Sequence, residues 1–218
     1  MEPTKPINRR QLATRAAAWP HAIARGLARA GIKPNHVSLA SIVVAVVGAL
    51  ALCLASGRTG SEAAGWLVLG AIGIQLRLLC NLLDGLLAIE GGLKSKTGDL
   101  YNEVPDRVAD IALLLGAGYA LDTAWGVTLG WSAAVLALLT AYVRLLGGSF
   151  GFVQDFGGPM AKQHRMFTLT LGAVAAAIEV VGRGTIWSLA IALGIIAVGS
   201  AVTLVRRTGR IARALDAR

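Results

Sequence analysis

Six apolar segments separated by polar connections are the feature that most restricts how this 218-residue chain can fold. Residues 37–56, 123–143 and 184–205 contain no charged residue, and each is long enough to cross a bilayer as a helix. Residues 63–83, 105–121 and 166–182 are also apolar but are interrupted by charges such as Arg77 and Glu179. Buried helices of a soluble protein could account for one or two such segments, but not for all of them. The sequence therefore predicts an all-α polytopic membrane protein with six transmembrane helices.

The composition agrees with a membrane protein of one domain. Only 15% of the residues are charged and 55% are hydrophobic, whereas about a quarter of the residues are charged in soluble domains. The first apolar segment begins only near Val37, so no cleavable signal peptide is expected. Cys53 and Cys80 lie inside apolar segments, where cysteine usually packs as a small hydrophobe, and neither a disulfide nor a metal role is assigned to them.

The distribution of Lys and Arg predicts the orientation in the membrane. Of the 21 such residues, seven precede Val37 and five follow Val205. With six spans, both ends of the chain lie on the same side of the membrane as the connections at 81–105 and 144–165. Arg58 and Arg183 are then the only Lys or Arg residues in the short loops on the opposite side. The positive-inside rule then places both termini on the cytoplasmic side of a bacterial-type cytoplasmic membrane. The net charge of +9 indicates contact with anionic membrane lipid; nucleic acid is not expected as a partner, because the positive residues flank apolar spans.

Four oxygen-bearing side chains interrupt the apolar pattern between residues 81 and 106. Asn81 and Asp84 are three residues apart on one predicted helical stretch, and Asn102 and Asp106 are four apart on a second. Residues at these spacings share a helix face, so each pair can offer two oxygen atoms to one point. Oxygen ligands suit hard cations such as Mg²⁺. An interhelical hydrogen-bond network without any ligand is the alternative interpretation.

The order and spacing of these residues resemble the motif of the CDP-alcohol phosphotransferase family. That motif is D-x-x-D-G-x-x-A-R, then eight or nine residues, then G-x-x-x-D-x-x-x-D. Five positions of this chain match it: Asp84, Gly85, Ala88, Gly98 and Asp106. Three positions depart from it: Asn81 and Asn102 stand where the family has aspartates, and Ile89 stands where it has arginine.

The resemblance implies a phospholipid-biosynthetic transferase. In the family, two divalent metal ions, Mg²⁺ or Mn²⁺, hold the pyrophosphate of a CDP-linked donor such as CDP-diacylglycerol. A hydroxyl of an alcohol acceptor attacks the β-phosphorus, and CMP leaves. By position, Asn81, Asp84, Asn102 and Asp106 would be the metal ligands, and Asp106 would also be the catalytic base. The resemblance further implies that a homodimer is one state to expect.

Further residues around the motif follow from the same resemblance. The CDP group would contact the small or polar residues Asp84, Gly85, Ala88 and Gly98. Asn35 and Ser38, at the start of the first span, are weaker candidates for the same contact, because capping of that helix explains their presence equally well. Because an amide oxygen brings no charge, Asp99 or Glu103 could act as a replacement metal ligand. Otherwise the metal binds more weakly, or the chain is a non-catalytic member that binds CDP-lipid or lipid and acts through a partner.

Four basic residues are predicted to bind a phosphate of the acceptor: Arg107, Arg144, Lys162 and Arg165. Cations at these places would suit a phosphorylated alcohol such as glycerol phosphate or an inositol phosphate. The competing interpretation is that they only follow the positive-inside rule or reach the interface from the ends of spans. Pairing with a carboxylate is a further alternative for Arg107. The sequence does not identify the acceptor.

Three segments are expected along the chain. Residues 1–36 would form a cytoplasmic juxtamembrane segment, in which residues 9–30 combine Arg with Leu, Ile, Ala and Trp, as in an amphipathic interfacial helix; a solvated basic arm is the alternative. Residues 37–205 would form the six-helix transmembrane catalytic domain. Residues 206–218 would form a basic cytoplasmic tail.

Overall fold

The computed structural model describes residues 17–90, 92 and 97–218, and these residues form helices and no strand. The helices are α1 (Ala18–Arg29), α2 (Pro34–Leu54), α3 (Gly60–Glu90), α4 (Gly98–Ala120), α5 (Ala124–Ser149), α6 (Lys162–Arg183) and α7 (Trp187–Asp216). The all-α prediction is therefore confirmed for the described residues. Residues 1–16, which begin the predicted juxtamembrane segment, lie outside the described part of the chain.

Five described helices are long and apolar enough to cross a membrane, namely α2, α3, α5, α6 and α7. The remaining predicted span corresponds to α4, whose N-terminal half carries several charged residues, so that its composition alone does not mark it as a span. Large apolar side chains such as Val43, Ile178 and Val198 are exposed on the outside of the bundle. A surface of this kind suits lipid acyl chains and not water, and the chain is an integral membrane protein.

Local sequence sets where the helices begin and end. Pro34 occupies the first turn of α2, where its missing N–H is not needed. Thr123 caps α5, because its Oγ1 accepts a hydrogen bond from the N–H of Gly126 at 3.1 Å. The carboxylate of Glu179 on α6 caps the next helix by accepting hydrogen bonds from the N–H groups of Trp187 and Ser188 at 3.0 and 2.9 Å. This contact fixes the short connection between α6 and α7.

Small residues bring the helices into close contact. The helix α2 packs on α3 and α4, α3 packs on α6, α4 packs on α5, and α7 packs on both α5 and α6. A Cβ built on Gly118 of α4 would lie 2.8 Å from Cα of Gly130 on α5, and one built on Gly73 of α3 would lie 2.6 Å from Cα of Gly48 on α2. These crossings leave no room for a side chain. Membrane helices are commonly held together in this way, by van der Waals contact across small residues.

The helix α1 packs beside the C-terminal end of α3. Ala24 of α1 is buried in a small apolar cluster with Val37 of α2 and with Leu83 and Leu87 of α3. Asp84 lies between the two leucines in sequence and is therefore close to this cluster. The helix α1 thus supports the part of α3 that carries the first half of the motif.

Replacing Gly118 by alanine is expected to destabilise the bundle, because the added methyl group would meet the backbone of α5. Overpacking typically costs about 1–3 kcal/mol, so the melting temperature in detergent should fall. The matched control is Gly194→Ala in α7, where a Cβ would meet nothing within 4 Å. Thermal unfolding followed by circular dichroism compares the variants, and equal melting temperatures would contradict a tight contact between α4 and α5.

Candidate active site

Polar side chains from several helices meet at one end of the bundle, where α2, α4 and α6 begin and α3 ends. Ser38 of α2 donates a hydrogen bond from Oγ to Oδ2 of Asp84 on α3 at 2.7 Å. Lys162, the first residue of α6, donates from Nζ to Oδ2 of Asp106 on α4. Asp84 and Asp106 are only 6% and 4% exposed, and Asn81, three residues before Asp84 on α3, donates a hydrogen bond to Asp106 at 2.7 Å. The two aspartates that match the motif thus belong to one site.

The carboxylate of Asp106 is held in one orientation by donors on two sides. Its Oδ1 accepts hydrogen bonds from Nδ2 of Asn81 at 2.7 Å and from Nη2 of Arg77 at 3.3 Å. Its Oδ2 is the atom that accepts from Lys162. Asn81 and Arg77 lie four residues apart on α3, so one face of that helix supplies both donors to Oδ1. The oxygen opposite them is turned toward the start of α6.

A second carboxylate on α4 lies deeper in the bundle and is bound by two arginines. Oδ1 of Asp110 accepts from Nη2 of Arg77 at 2.6 Å, and Oδ2 accepts from Nη2 of Arg165 at 3.1 Å. Arg165 also donates to Oγ1 of Thr140 at 3.2 Å and to the carbonyl oxygen of Met160 at 3.0 Å. Arg77 is 0% exposed and Asp110 is 2% exposed. Buried charges are stable only when paired and hydrogen-bonded, and this network joins α3, α4, α5 and α6.

A third carboxylate, that of Glu103, connects two of the predicted acceptor-binding arginines. Nη2 of Arg144 lies 2.6 Å from both oxygens of Glu103, and Nη2 of Arg107 lies 2.7 Å from Oε2. Arg144 also donates to Oε1 of Gln154 at 3.2 Å, and its Cζ lies 4.9 Å from the centre of the Phe156 ring. Glu103 is therefore a partner for arginine side chains, and Arg144 links α4 to the connection that follows α5.

The connection between α5 and α6 is fixed to α7. Nε of Arg207 donates to the carbonyl oxygen of Gly157 at 3.0 Å, and its Nη1 donates to that of Thr140 at 2.7 Å. The N–H of Met160 donates to Oγ1 of Thr203 at 3.0 Å. Because α7 binds this connection at two places, the start of α6, with Lys162 and Arg165, has a defined position beside α4.

The structure brings together most of the predicted residues. Asn81, Asp106 and Lys162 form one hydrogen-bonded group, which Arg165 joins through Asp110 and Arg77, and Ser38 and Asp84 form a separate pair. Of the other predicted residues, Asn102 is exposed, whereas Asn35, Gly85, Ala88 and Gly98 are half-buried. The side chain of Asp99 lies outside the described part of the structure.

Sequence analysis missed three residues of the site, namely Arg77, Thr140 and Arg207. A signal existed for Arg77, since it is a single charge in an apolar segment and lies four residues before Asn81, on the same helix face. No comparable signal exists for Arg207, which the sequence assigns to a basic tail. Thr140 is one of several hydroxyl residues in an apolar helix, and only the packing distinguishes it.

The donor atoms that converge here suit a hard divalent cation. Within the described residues, no three or more His, Cys, Asp or Glu side chains are grouped as a metal site. The candidate donors are the carboxylates of Asp84 and Asp106 and the amide oxygen of Asn81, whose nitrogen bonds Asp106. These are all oxygen ligands, which Mg²⁺ and Mn²⁺ prefer. This donor set fits one divalent cation, whereas a second would have to share the same two carboxylates.

Comparison with known proteins identifies relatives of the chain. No protein-family model matches the chain. The chain is 31% identical over 194 residues to the phosphatidylinositol phosphate synthase of Streptomyces avermitilis, which covers 86% of this chain and 75% of that protein. It is 29% identical over 189 residues to the phosphatidylinositol phosphate synthase of Mycolicibacterium smegmatis, which covers 85% of this chain and 80% of that protein.

Solved structures share the fold. The crystal structure of Mycobacterium tuberculosis phosphatidylinositol phosphate synthase with CDP-DAG bound aligns with a TM-score of 0.75 and 24% identity, over 89% of this chain and 94% of that one. The structure of the same enzyme in complex with manganese and citrate aligns with a TM-score of 0.75 over 88% of each chain. Phosphatidylinositol phosphate synthases are CDP-alcohol phosphotransferases, and the similarity extends along most of the sequence and includes the motif. This chain belongs to the CDP-alcohol phosphotransferase family.

Proposed function

We infer that this chain transfers a phosphatidyl group from a CDP-linked lipid to the hydroxyl group of an alcohol. The hydroxyl oxygen forms a bond to the β-phosphorus, the bond from that phosphorus to the oxygen of CMP breaks, and the hydroxyl proton passes to a base. The observation that carries this inference is that the motif aspartates, Asp84 on α3 and Asp106 on α4, are both buried at the same end of the bundle, with Asn81 of α3 bound to Asp106, in a member of the family. The chain is thus a phosphatidyl transferase of phospholipid biosynthesis.

Asp106 is the proposed base. Hydrogen bonds from Asn81 and Arg77 hold its Oδ1, so that Oδ2 is the oxygen that would accept the proton of the acceptor hydroxyl. Lys162 contacts Oδ2 and would have to move for the hydroxyl to approach. Because Lys162 lies at the first position of α6 and is not fully buried, its side chain can reorient without disturbing the helices.

The donor would bind beside α2 and α3. Ser38 orients Asp84 by a hydrogen bond, and Gly85 and Ala88 have side chains small enough for a nucleotide to approach the helix closely. We assign Asn35 and Gly98 to the edge of the same subsite, where both are half-buried. CDP-diacylglycerol is the proposed donor, since a structural relative binds CDP-DAG.

A divalent cation, Mg²⁺ or Mn²⁺, would be held by Asp84 and Asp106 together with the amide oxygens of Asn81 and Asn102. When bound, such a cation neutralises negative charge that develops on the phosphate oxygens. The manganese complex of a structural relative supports the use of a divalent metal. The two-ion arrangement implied by the resemblance stays a prediction, as do the substitute roles of Asp99 and Glu103.

The acceptor is proposed to be a phosphorylated alcohol, with an inositol phosphate as the first candidate. Phosphatidyl transfer to an inositol phosphate would give the product for which the relatives are named. Arg107 and Arg144 already bind the carboxylate of Glu103, and an incoming phosphate could take over the same N–H donors. Lys162 and Arg165 would complete a basic wall at the start of α6.

The alternative is a non-catalytic family member that binds CDP-lipid and acts through a partner. The two asparagines at aspartate positions are the observation that favours it, because each removes a negative charge from the metal site. The pairing of a base with a donor-side carboxylate, Asp106 with Asp84, favours catalysis. Release of CMP by purified protein separates the two functions.

Asp84→Ala and Asp106→Asn are each expected to abolish CMP release from CDP-diacylglycerol. The first change removes one of the two motif carboxylates, and the second leaves a neutral amide that cannot accept a proton. Radiolabelled CMP release with Mg²⁺ or Mn²⁺ is the measurement, with Asp155→Asn as a control at a carboxylate that pairs with exposed Arg210. Near-full turnover of Asp106→Asn would rule out Asp106 as the base.

Arg144→Gln is expected to raise the KM for inositol phosphate about tenfold or more, because a charge-assisted hydrogen bond contributes about 1.5–3 kcal/mol. The KM for the CDP-linked donor should change little. The double variant Glu103→Gln/Arg144→Gln controls for the carboxylate that the single change leaves with Arg107 as its one remaining arginine partner. Mass spectrometry of the lipid product, with free inositol and glycerol phosphate in parallel, identifies the acceptor. An unchanged KM would remove Arg144 from the acceptor site.

We propose that α4 is a sixth span, that residues 37–205 form the catalytic membrane domain, and that the site and both termini face the cytoplasm. In this arrangement residues 1–36, which include α1, lie along the membrane interface, and residues 206–218 form a basic tail. The seven Lys and Arg before Val37 and the five after Val205 support this orientation.

Cysteine labelling in intact cells checks this orientation. In a background with Cys53 and Cys80 replaced by alanine, Arg183→Cys should react with an impermeant thiol reagent added outside. Ser149→Cys, at the end of the bundle that holds the site, should react only after the membrane is opened. Both positions are exposed in the structure, so the reverse labelling pattern would place the site outside the cell.

A further inference from the structure

We infer that this chain holds a single divalent cation between Asp84 and Asp106, and that Arg77 and Lys162 supply the positive charge that a second cation would bring. The inference rests on the proposed transfer reaction, whose donor carries the diphosphate that the positive charge must balance. Three features of the site lead to it: the charge already present, the occupation of Asp106 and the chemistry of the two asparagines.

The site is close to neutral before any metal binds. Its buried carboxylates, Asp84, Asp106 and Asp110, are matched by the cations of Arg77, Lys162 and Arg165, which contact Asp106 or Asp110 directly. Beside them Glu103 is shared by Arg107 and Arg144, which adds one net positive charge. The diphosphate of the donor brings about two further negative charges. One divalent cation balances these charges, whereas two would leave an excess of positive charge in a site surrounded by apolar helices. Uncompensated charge is costly in such surroundings.

The carboxylate that two cations would share is already bound on both oxygens. A bridging Asp106 would have to offer both Oδ1 and Oδ2, but Oδ1 accepts hydrogen bonds from Asn81 at 2.7 Å and Arg77 at 3.3 Å. Arg77 is 0% exposed and also donates a hydrogen bond to Asp110 at 2.6 Å. If its side chain moved away, the buried carboxylates of Asp106 and Asp110 would lose the positive charge that lies between them. Lys162 is partly exposed at a helix start and can give up its contact with Oδ2. Oδ2 is thus the one oxygen of Asp106 left for a metal ion and for the acceptor hydroxyl together, which leaves no oxygen for a second ion.

The asparagines at two of the motif positions leave fewer charged ligands for metal ions. Nδ2 of Asn81 donates to Asp106, which the oxygen of an aspartate could not do, so this position acts as a hydrogen-bond donor to the base. Asn102 is exposed and uncharged, and it offers a second cation no negative charge. Two carboxylates therefore remain for the metal, where the family motif has four aspartates.

Counting bound Mn²⁺ tests the inference without measuring turnover. Full-length protein in detergent, saturated with CDP-diacylglycerol and without acceptor, is titrated with Mn²⁺, and free Mn²⁺ is measured by electron paramagnetic resonance. The wild-type chain should bind one Mn²⁺. Asn81→Asp/Asn102→Asp/Lys162→Gln, which restores two carboxylates and removes one cation, should bind two.

Single variants test the role of Lys162 if the triple variant does not fold. Lys162→Gln should lower the Kd for the one Mn²⁺ about tenfold, because a like charge beside the ion is removed. Arg210→Gln removes the same charge from an exposed pair with Asp155 and should change the Kd less than about twofold, since exposed charges are screened. An unchanged Kd in Lys162→Gln would overturn the role of Lys162.

Two bound Mn²⁺ of similar affinity in the wild-type chain, together with CMP release once acceptor is added, would overturn the single-cation inference and leave the proposed function intact. No bound Mn²⁺ and no CMP release would overturn both. The inference is supported if the wild-type chain, Lys162→Gln and Arg210→Gln each bind one Mn²⁺ and only Lys162→Gln binds it with a lower Kd.

Discussion

The guanidinium group of Arg77 lies between two carboxylates of α4, and the geometry of the site depends on this contact. Nη2 of Arg77 lies 2.6 Å from Asp110 and 3.3 Å from Asp106, in a part of the bundle closed to solvent. Removing one partner of such a group would leave a buried charge unpaired, which typically costs about 3–5 kcal/mol. The pairing therefore sets the register of α3 against α4. The same register brings Asn81 and Asp84 on α3 to the level of Asp106 on α4.

In this register Asn81 is a hydrogen-bond donor to Asp106 in addition to the metal-ligand role proposed for its amide oxygen. Nδ2 of Asn81 lies 2.7 Å from Oδ1 of Asp106. An aspartate at position 81 would place a second negative charge at about this distance from Asp106, and a metal ion would be needed to offset the repulsion between the two carboxylates. The amide removes that need and adds a donor. Together with Arg77 it orients the carboxylate of Asp106, the proposed base, by hydrogen bonds from the protein itself.

Much of the fold follows from the sequence, because apolar segments in a membrane have to be helical and the motif spacing assigns residues to helix faces. Asn81 with Asp84, and Asn102 with Asp106, do lie on α3 and α4. The sequence does not predict how each helix is rotated about its own axis. That rotation depends on which small residues allow two helices to cross closely, as Gly118 and Gly130 do. For that reason the sequence shows Arg77 only as an interruption of an apolar segment, and it does not predict that Asn102 is exposed while Asp106 is buried.

The role of Arg207, in the C-terminal basic segment, also depends on tertiary contacts that the sequence does not reveal. Charge distribution assigns Arg207 to membrane anchoring, yet it is buried and binds the carbonyl oxygens of Gly157 and Thr140. Thr140 in turn accepts a hydrogen bond from Arg165, which binds Asp110. A continuous chain of contacts thus runs from α7 to the carboxylates of α4. The C-terminal helix therefore helps to position the start of α6, and the proposed acceptor-binding residues Lys162 and Arg165 depend on the contacts of Arg207 for their place beside α4.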